Sequence, residues 1–189
     1  MAQSEHQLTL PARTTEDDDA AVAAILDKAK AQTGMIPNMY ANMANVPGLL
    51  ETYLTGYAAF RADSGLTPAE QETVLLAISR ANGCSYCMAA HSAVADMAKV
   101  PTEVTDAIRD GHTVPDARLD ALAVFTTAMV ETRGLPTETQ VAAFLAEGYT
   151  ETDILQVVLA LAVKTISNYT NHLFHTPVDE VFAHRTWEG

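Results

Sequence analysis

Residues 67–91 read TPAEQETVLLAISRANGCSYCMAAH, and this stretch contains the signals that decide the fold. Thr67 is a helix N-cap, Pro68 suits the first helical position, and Glu70 completes a Thr-x-x-Glu capping box. Asn82-Gly83 supplies a left-handed stop, after which another helix is expected to start. The stretch therefore predicts two consecutive helices joined by a tight turn.

The rest of the chain follows the same helical pattern, with acidic residues, threonines or prolines at the expected helix starts. No segment of five or more residues alternates convincingly between apolar and polar positions with turn residues around it, so no sheet is expected. The predicted fold class is all-α, a compact helical bundle. The predicted helices span residues 17–32, 39–46, 48–63, 67–82, 84–99, 102–110, 116–132, 137–147 and 150–172.

The domain organisation is simple. Residues 1–15 are polar and mixed, and we expect them to form an extended N-terminal arm. Residues 16–189 are expected to form a single all-helical domain. A weak internal repeat lies within it, because residues 66–87 align on residues 149–170 at an offset of 83. The capped helix and the turn after it recur while the cysteines do not, which suggests a duplicated helical unit with chemistry in one copy.

Composition limits the function. The chain has 189 residues, 48% of them hydrophobic, which suits one domain with a sizeable core. Its 24 acidic and 11 basic residues give a net charge of −13, which argues against nucleic acid and membrane surfaces as partners. No signal peptide and no run of roughly 20 apolar residues is recognised. A cytoplasmic location is expected, where a cysteine pair is more often catalytic or metal-binding than structural.

The only two cysteines form a spaced set with a histidine. On a helix, Cys84, Cys87 and His91 occupy positions i, i+3 and i+7 and therefore lie on one stripe. Cys84 is expected in the first turn, where the helix dipole favours a thiolate. The spacing allows a disulfide within one turn, and His91 lies one turn after Cys87, where it could take the thiol proton. Together these features describe an activated dithiol.

Glu72 extends this set. It lies twelve residues before Cys84, on the capped helix. If the two helices form a hairpin, Glu72 could approach Cys84 and His91. A carboxylate hydrogen-bonded to His91 would orient the imidazole ring and make it a better base.

Other interpretations of the same residues remain. Two buried cysteines can be inert and behave as small hydrophobic side chains. Two thiolates and an imidazole, with water as the fourth ligand, also form a known catalytic zinc set, although no second Cys or His pair completes a structural site. Glu72 on its own is a typical solvated helix carboxylate, and His91 on its own is a typical core histidine.

The motif resembles a known family. Glu72, eleven further residues and then Cys-x-x-Cys-x-x-x-His are similar to the signature of the alkyl hydroperoxidase D and carboxymuconolactone decarboxylase superfamily, and most similar to its peroxidase-related, dithiol-bearing branch. The segments at 34–38, 66–70 and 171–179 resemble the same branch. The resemblance spans roughly residues 33 to 182.

This resemblance implies an all-helical fold and a homo-oligomer, a trimer or a hexamer. It also implies a thiol-dependent peroxidase that needs no cofactor or metal. The cysteine matching Cys87 attacks hydrogen peroxide or an organic hydroperoxide, and the one matching Cys84 converts the sulfenic acid to a disulfide. The residues matching Glu72 and His91 form the proton relay. The reductant would be a dithiol, either a small molecule or a protein such as a lipoyl-bearing or thioredoxin-like one.

One position departs from the family pattern. The best-characterised peroxidase has a second histidine between its cysteines, where this chain has Tyr86. Tyr86 and His172 are candidates for lining the substrate pocket. Two other functions remain as alternatives: a decarboxylase or lactone-handling enzyme of the same superfamily, and a non-enzymatic thiol redox sensor.

Overall fold

A computed structural model describes residues 5–189, which form nine α-helices and a 3-10 helix and contain no strand. The prediction of an all-α bundle is confirmed. The α-helices are α1 Ala20–Thr33, α2 Asn38–Met43, α3 Pro47–Asp63, α4 Pro68–Ala81, α5 Ser85–Met97, α6 Thr102–Asp110, α7 Ala117–Glu131, α8 Glu138–Ala146 and α9 Glu151–Phe174. The 3-10 helix spans Glu180–Arg185 and lies against α5. The sequence pattern did not predict it.

The hairpin of α4 and α5 forms as its turn signals predict. The Thr67 hydroxyl accepts a hydrogen bond from the Glu70 N–H, and the Glu70 carboxylate accepts one from the Thr67 N–H. Gly83 adopts a left-handed conformation at φ 65°, which ends α4. The prediction that Cys84 lies in the first turn of α5 is off by one residue. Cys84 is the N-cap instead, because its own N–H still bonds to the Ser79 carbonyl of the preceding helix, at 2.9 Å.

The first helix begins later than predicted. Asp17 is held by the Arg13 guanidinium, while the Asp19 carboxylate accepts a hydrogen bond from the Ala21 N–H, so α1 starts at Ala20. The other predicted helices end within a few residues of the observed ones. Residues 5–15 contain no helix, and the Leu8 N–H donates to a carbonyl near the end of α9. The first four residues of the predicted arm lie outside the described residues.

The proposed repeat is only partly reproduced. Both α4 and α9 begin with a capping box, formed in α9 by Thr150 and Asp153. The turn does not recur, however, because α9 continues through Ile166, the position that aligns with Gly83. No glycine is present there to adopt the left-handed conformation that breaks α4.

The core places the cysteines at the meeting point of several helices. Helix α4 is central and packs against α5, α6, α7 and α9. Cys84 and Cys87 belong to a core cluster that also includes Tyr40 of α2, Tyr53 of α3 and Val163 of α9. Within residues 5–189, no helix has the length and apolar character needed to cross a membrane.

Candidate active site

The two cysteines are free thiols enclosed by protein. Cys84 is 0% exposed and Cys87 is 2% exposed, so neither sulfur lies on the outer surface. Asn171 on α9 is directed at both of them. Its Nδ2 lies 3.3 Å from the Cys87 Sγ and 4.0 Å from the Cys84 Sγ. The geometry therefore gives Cys87 the closer polar contact.

Glu72 and His91 meet across the α4–α5 hairpin. The Glu72 Oε2 lies 3.1 Å from the His91 Nδ1, and both side chains are buried. The other Glu72 oxygen accepts a hydrogen bond from the Arg61 guanidinium, which also donates to the Tyr57 hydroxyl at 2.6 Å. Each oxygen of this buried carboxylate therefore has a partner, which is what a carboxylate away from water requires.

The protonation states in this group follow from their surroundings. Burial alone would raise the pKa of Glu72, but the hydrogen bond with His91 and the charge of Arg61 outweigh it, so the pKa is lowered. Burial, and then the nearby charge of Lys164, lower the pKa of His91. An ionised Glu72 can only accept, so His91 donates from Nδ1 and keeps a lone pair on Nε2. His91 is thus a neutral base at pH 7.

Lys164 on α9 is the one buried cation at the site among the described residues. Its side chain is 0% exposed, and its Nζ has no partner with normal hydrogen-bond geometry among residues 5–189. An isolated ammonium buried in this way is costly unless an anion lies nearby. Glu72 is already shared by Arg61 and His91, so the group left to balance this charge is a cysteine thiolate.

The pKa values of the two thiols are shifted in opposite directions. Burial alone would raise the pKa of Cys87, but the hydrogen bond from Cys84 and the charge of Lys164 outweigh it and lower the pKa well below its ordinary value. The hydrogen bond to Cys87, followed by burial, raises the pKa of Cys84. Since His91 is neutral, the charge of Lys164 is the main electrostatic support for the anion. The arrangement makes Cys87 a thiolate and Cys84 its thiol donor.

An apolar cavity of about 550 Å³ leads to Cys87 and His91, and we call it the Cys87 cavity. Tyr53 stacks on Tyr57 with ring centroids 5.6 Å apart, and Tyr57 lies 6.3 Å from the His91 ring. Aliphatic and thioether side chains complete most of the surface. The principal lining residues are Met35, Tyr40, Tyr53, Tyr57, Ala90, Val94, Val181 and Phe182.

A second and more polar recess of about 660 Å³ leads to Cys84, and we call it the Cys84 groove. His172, predicted to line the pocket, lies here and does not border the Cys87 cavity. Tyr86 borders both spaces. Its hydroxyl donates to the Asp179 carboxylate, and burial followed by this hydrogen bond raises the pKa of Tyr86. Tyr86 therefore acts as a dividing wall and is not an acid at neutral pH.

Three residues at the site were missed by sequence reasoning. Lys164, Asn171 and Asp179 come from the last third of the chain and reach the cysteines only through packing. Lys164 had a usable signal, because it is the only charged residue between Gln156 and His172 in an otherwise mostly apolar helix. Within residues 5–189, no group of three or more His, Cys, Asp or Glu side chains is arranged to hold a metal ion.

Glu72→Gln is expected to destabilise the protein by about 2–3 kcal/mol, because it leaves the partly buried Arg61 without its counter-charge. The pKa of Glu72 is lowered by folding, so its contribution is complete above the ordinary carboxyl pKa and is lost as pH falls through the lowered value. The difference in the free energy of unfolding between variant and wild type should therefore become smaller at low pH. Urea denaturation at pH 7 and at low pH measures this.

Glu51→Gln is the matched control for that experiment. Glu51 pairs with Lys28 at 2.6 Å, but both side chains are about half exposed. An exposed pair of this kind contributes little to stability. Equal urea midpoints for Glu72→Gln and Glu51→Gln would contradict the importance assigned to the buried pair.

One segment of the chain, which contains the site, matches a known family model. A family model described as the carboxymuconolactone decarboxylase family matches residues 47–127, which include Glu72, both cysteines and His91. This match agrees with the family resemblance that the sequence motif indicated. No curated protein is similar enough in sequence to count as a match.

Solved structures share the whole fold. The alkylhydroperoxidase AhpD core of a peroxidase-related protein from Ralstonia eutropha JMP134 has a TM-score of 0.78 at 21% identity, covering 92% of this chain and 93% of its own. A peroxidase-related protein from Silicibacter sp. TM1040 has a TM-score of 0.76 at 18% identity, covering 95% of each chain. A cysteine-to-alanine variant of the debrominase Bmp8, bound to 2,3,4-tribromopyrrole, has a TM-score of 0.76 at 14% identity, covering 96% and 97%. These likenesses establish the fold, and the names show that the fold is used by enzymes.

Proposed function

We propose that this protein is a thiol-dependent peroxidase that uses Cys87 and Cys84 as a redox dithiol. The observation that carries the proposal is the thiolate character of Cys87 at the base of an apolar cavity, beside a neutral His91. A thiolate is the nucleophile that peroxides oxidise, and a second thiol one helical turn away can resolve the product.

The proposed reaction proceeds in three steps. The Cys87 thiolate attacks the terminal oxygen of the hydroperoxide, the O–O bond breaks, and the alkoxide leaves as an alcohol after taking a proton that the Nε2 of His91 relays from solvent. The Cys84 thiol then attacks the Cys87 sulfenic acid, forming the disulfide and releasing water. A dithiol reductant restores both thiols and becomes a disulfide itself. In this scheme Glu72 orients His91, and Lys164 and Asn171 stabilise the thiolate.

The Cys87 cavity favours organic hydroperoxides over hydrogen peroxide. Its surface is mostly aromatic and aliphatic, and a volume of about 550 Å³ is within the range of small-molecule sites. An apolar tail would be removed from water there, while hydrogen peroxide would gain nothing from this surface. We therefore expect cumene hydroperoxide to react faster than hydrogen peroxide.

The test is peroxide-dependent disulfide formation in purified, reduced protein. Free thiols are counted after stoichiometric addition of cumene hydroperoxide or hydrogen peroxide, and steady-state turnover is then followed with dithiothreitol as donor. Loss of two thiols per chain with turnover supports the proposal. Turnover of other substrates that survives thiol alkylation would favour a decarboxylase or lactone-handling enzyme. A disulfide that changes the assembly state without turnover would favour a redox sensor.

Reductive dehalogenation is a second candidate, favoured by the tyrosine-lined cavity and by the fold shared with a debrominase. The Cys87 thiolate would take bromine from the ring carbon, which gains a proton. Cys84 would then displace bromide and form the same disulfide. Bromide release from 2,3,4-tribromopyrrole by the reduced protein, matched by loss of two thiols, distinguishes this reaction from peroxide reduction.

The proposed setting is the cytoplasm, where reductants keep thiols available. We also propose a homo-oligomer, a trimer or hexamer, assembled through the solvent-facing side of α9. Leu155, Val158 and Tyr169 are exposed on that helix at 67%, 44% and 56%. Exposed apolar side chains that recur along one helix are typical of an interface. Light scattering across a concentration series tests the assembly.

A further inference from the structure

The two sulfurs are reached from different spaces. Cys87 borders the Cys87 cavity and is absent from the Cys84 groove, while Cys84 borders the groove and is absent from the cavity. Tyr86 separates the two spaces, and its position is fixed by the hydrogen bond to Asp179. A molecule that enters one space therefore meets only one of the two sulfurs.

Disulfide chemistry distinguishes the same two sulfurs. When a thiolate attacks a disulfide, the sulfur with the lower thiol pKa leaves more readily. The surroundings of Cys87, with Lys164 and the Nδ2 of Asn171 beside it, stabilise the departing thiolate. The favoured attack is consequently on the Cys84 sulfur, which is the sulfur that faces the groove.

The groove also has a buried polar group that has no partner. Asn171 is 3% exposed and borders the groove, and its Oδ1 has no hydrogen-bond partner among residues 5–189. Such an acceptor is costly inside a protein unless a donor reaches it. The second thiol of a dithiol, still protonated while the first attacks as a thiolate, carries an S–H group that can fill this role next to Cys84.

We propose that the thiol reductant enters through the Cys84 groove, on the opposite side of Tyr86 from the oxidising substrate. This proposal rests on the proposed function only in taking the Cys84–Cys87 disulfide as a working state. A reductant thiolate attacks the Cys84 sulfur, the Cys84–Cys87 bond breaks, and Cys87 leaves as a thiolate. The second thiol of the reductant then attacks the mixed disulfide, releasing Cys84 as a thiol and the reductant as a cyclic disulfide.

The burial of Cys84 limits the kind of reductant. A thiol fixed on a broad protein surface cannot reach a sulfur that is 0% exposed at the base of a recess of about 660 Å³. A slim dithiol, free or at the end of a flexible arm, can reach it. Dithiothreitol is the probe of this class used in the test below.

Two tryptophan variants separate the routes. Ser85→Trp fills the groove from an exposed position beside Cys84, and Val94→Trp narrows the Cys87 cavity from a half-buried position. Each variant is oxidised with diamide, an acceptor of two electrons, so that the disulfide forms without any peroxide. The rate of reduction by dithiothreitol is then followed by thiol appearance, and circular dichroism checks the helical content. His172→Trp fills the groove from another helix as a second test.

The expected result is reduction slowed at least about tenfold in Ser85→Trp and His172→Trp and unchanged in Val94→Trp. Reduction at the wild-type rate in both groove variants, or slowed by Val94→Trp, overturns the proposal and assigns the reductant to the Cys87 cavity. Because diamide replaces the peroxide, this outcome is independent of whether hydroperoxides are the true substrates. If the wild type forms the disulfide with diamide but consumes no hydroperoxide, the proposed function is contradicted. The route of the reductant can still be measured in that case.

Discussion

Cys87→Ser is expected to lower hydroperoxide turnover with dithiothreitol by at least about a thousandfold, because it removes the attacking atom. A serine hydroxyl at this site is not ionised, whereas the surroundings of Cys87 lower its pKa well below the ordinary thiol value. Serine is close in size to cysteine, so the buried site should keep its packing. Coupled consumption of cumene hydroperoxide measures the loss, and thiol counting verifies that Cys84 alone remains.

Cys84→Ser is the informative partner of that variant. It keeps the attacking sulfur and removes the resolving one, so one equivalent of hydroperoxide should be consumed and the reaction should stop at sulfenic acid. A dimedone adduct on Cys87, detected by mass spectrometry, is the expected product. Equal turnover in Cys87→Ser and wild type would refute the assignment. A dimedone adduct on Cys84 in the Cys87→Ser variant would reverse the two roles.

Lys164→Met is expected to raise the pKa of Cys87, because it removes the buried positive charge next to the thiolate. The rate of Cys87 alkylation by iodoacetamide should then follow a titration curve displaced to higher pH. Absorbance at 240 nm reports the thiolate directly. Measurements in a Cys84→Ser background assign the curve to Cys87.

The fold should tolerate this change. Methionine resembles the lysine stem in size, and the thiolate can take up a proton once its partner is gone, so no uncompensated charge remains. Lys28→Met is the control, because Lys28 lies on the surface in an exposed pair with Glu51. Its alkylation profile should match that of the wild type. An unchanged profile in Lys164→Met would show that another group supports the thiolate.

The pairing of Cys87 with Lys164 also makes the stability of the protein depend on pH. Folding lowers the pKa of Cys87, so its contribution to the free energy of unfolding is complete above the unfolded thiol pKa and is lost as pH falls through the lowered value. Between those two values the wild type should gain stability as pH rises. Lys164→Met should lose most of that rise in urea denaturation.

The parts of the fold that depend on residues close in sequence were predicted best. The Thr67–Glu70 cap and the Gly83 turn act between neighbours in sequence, so they fixed the α4–α5 hairpin in advance. That hairpin brings Glu72 to His91 because the two helices are antiparallel neighbours. Asp17 shows how local competition defeats a pattern, since a bond to Arg13 keeps it out of the helix. No local rule indicated that outcome.

The rest of the site depends on packing between distant parts of the chain. Lys164 and Asn171 reach the thiols because α9 lies along α3, α4 and α5, and periodicity does not specify that arrangement. Asp179 reaches Tyr86 from the segment before the 3-10 helix, which has no strong sequence signal of its own. The division into two spaces follows from that contact, so sequence analysis grouped Tyr86 and His172 in one pocket.

The close spacing of the cysteines also bears on the energetics of the disulfide. A bond between Cys84 and Cys87 would close a ring of only four residues at the start of α5, and short rings restrict the unfolded chain least. Folding would therefore do little to favour the oxidised form. The charge of Lys164 would at the same time favour the reduced form by holding its anion, which makes a dithiol couple more oxidising. A couple of this kind passes its oxidising equivalents on readily, whereas a structural cross-link resists reduction.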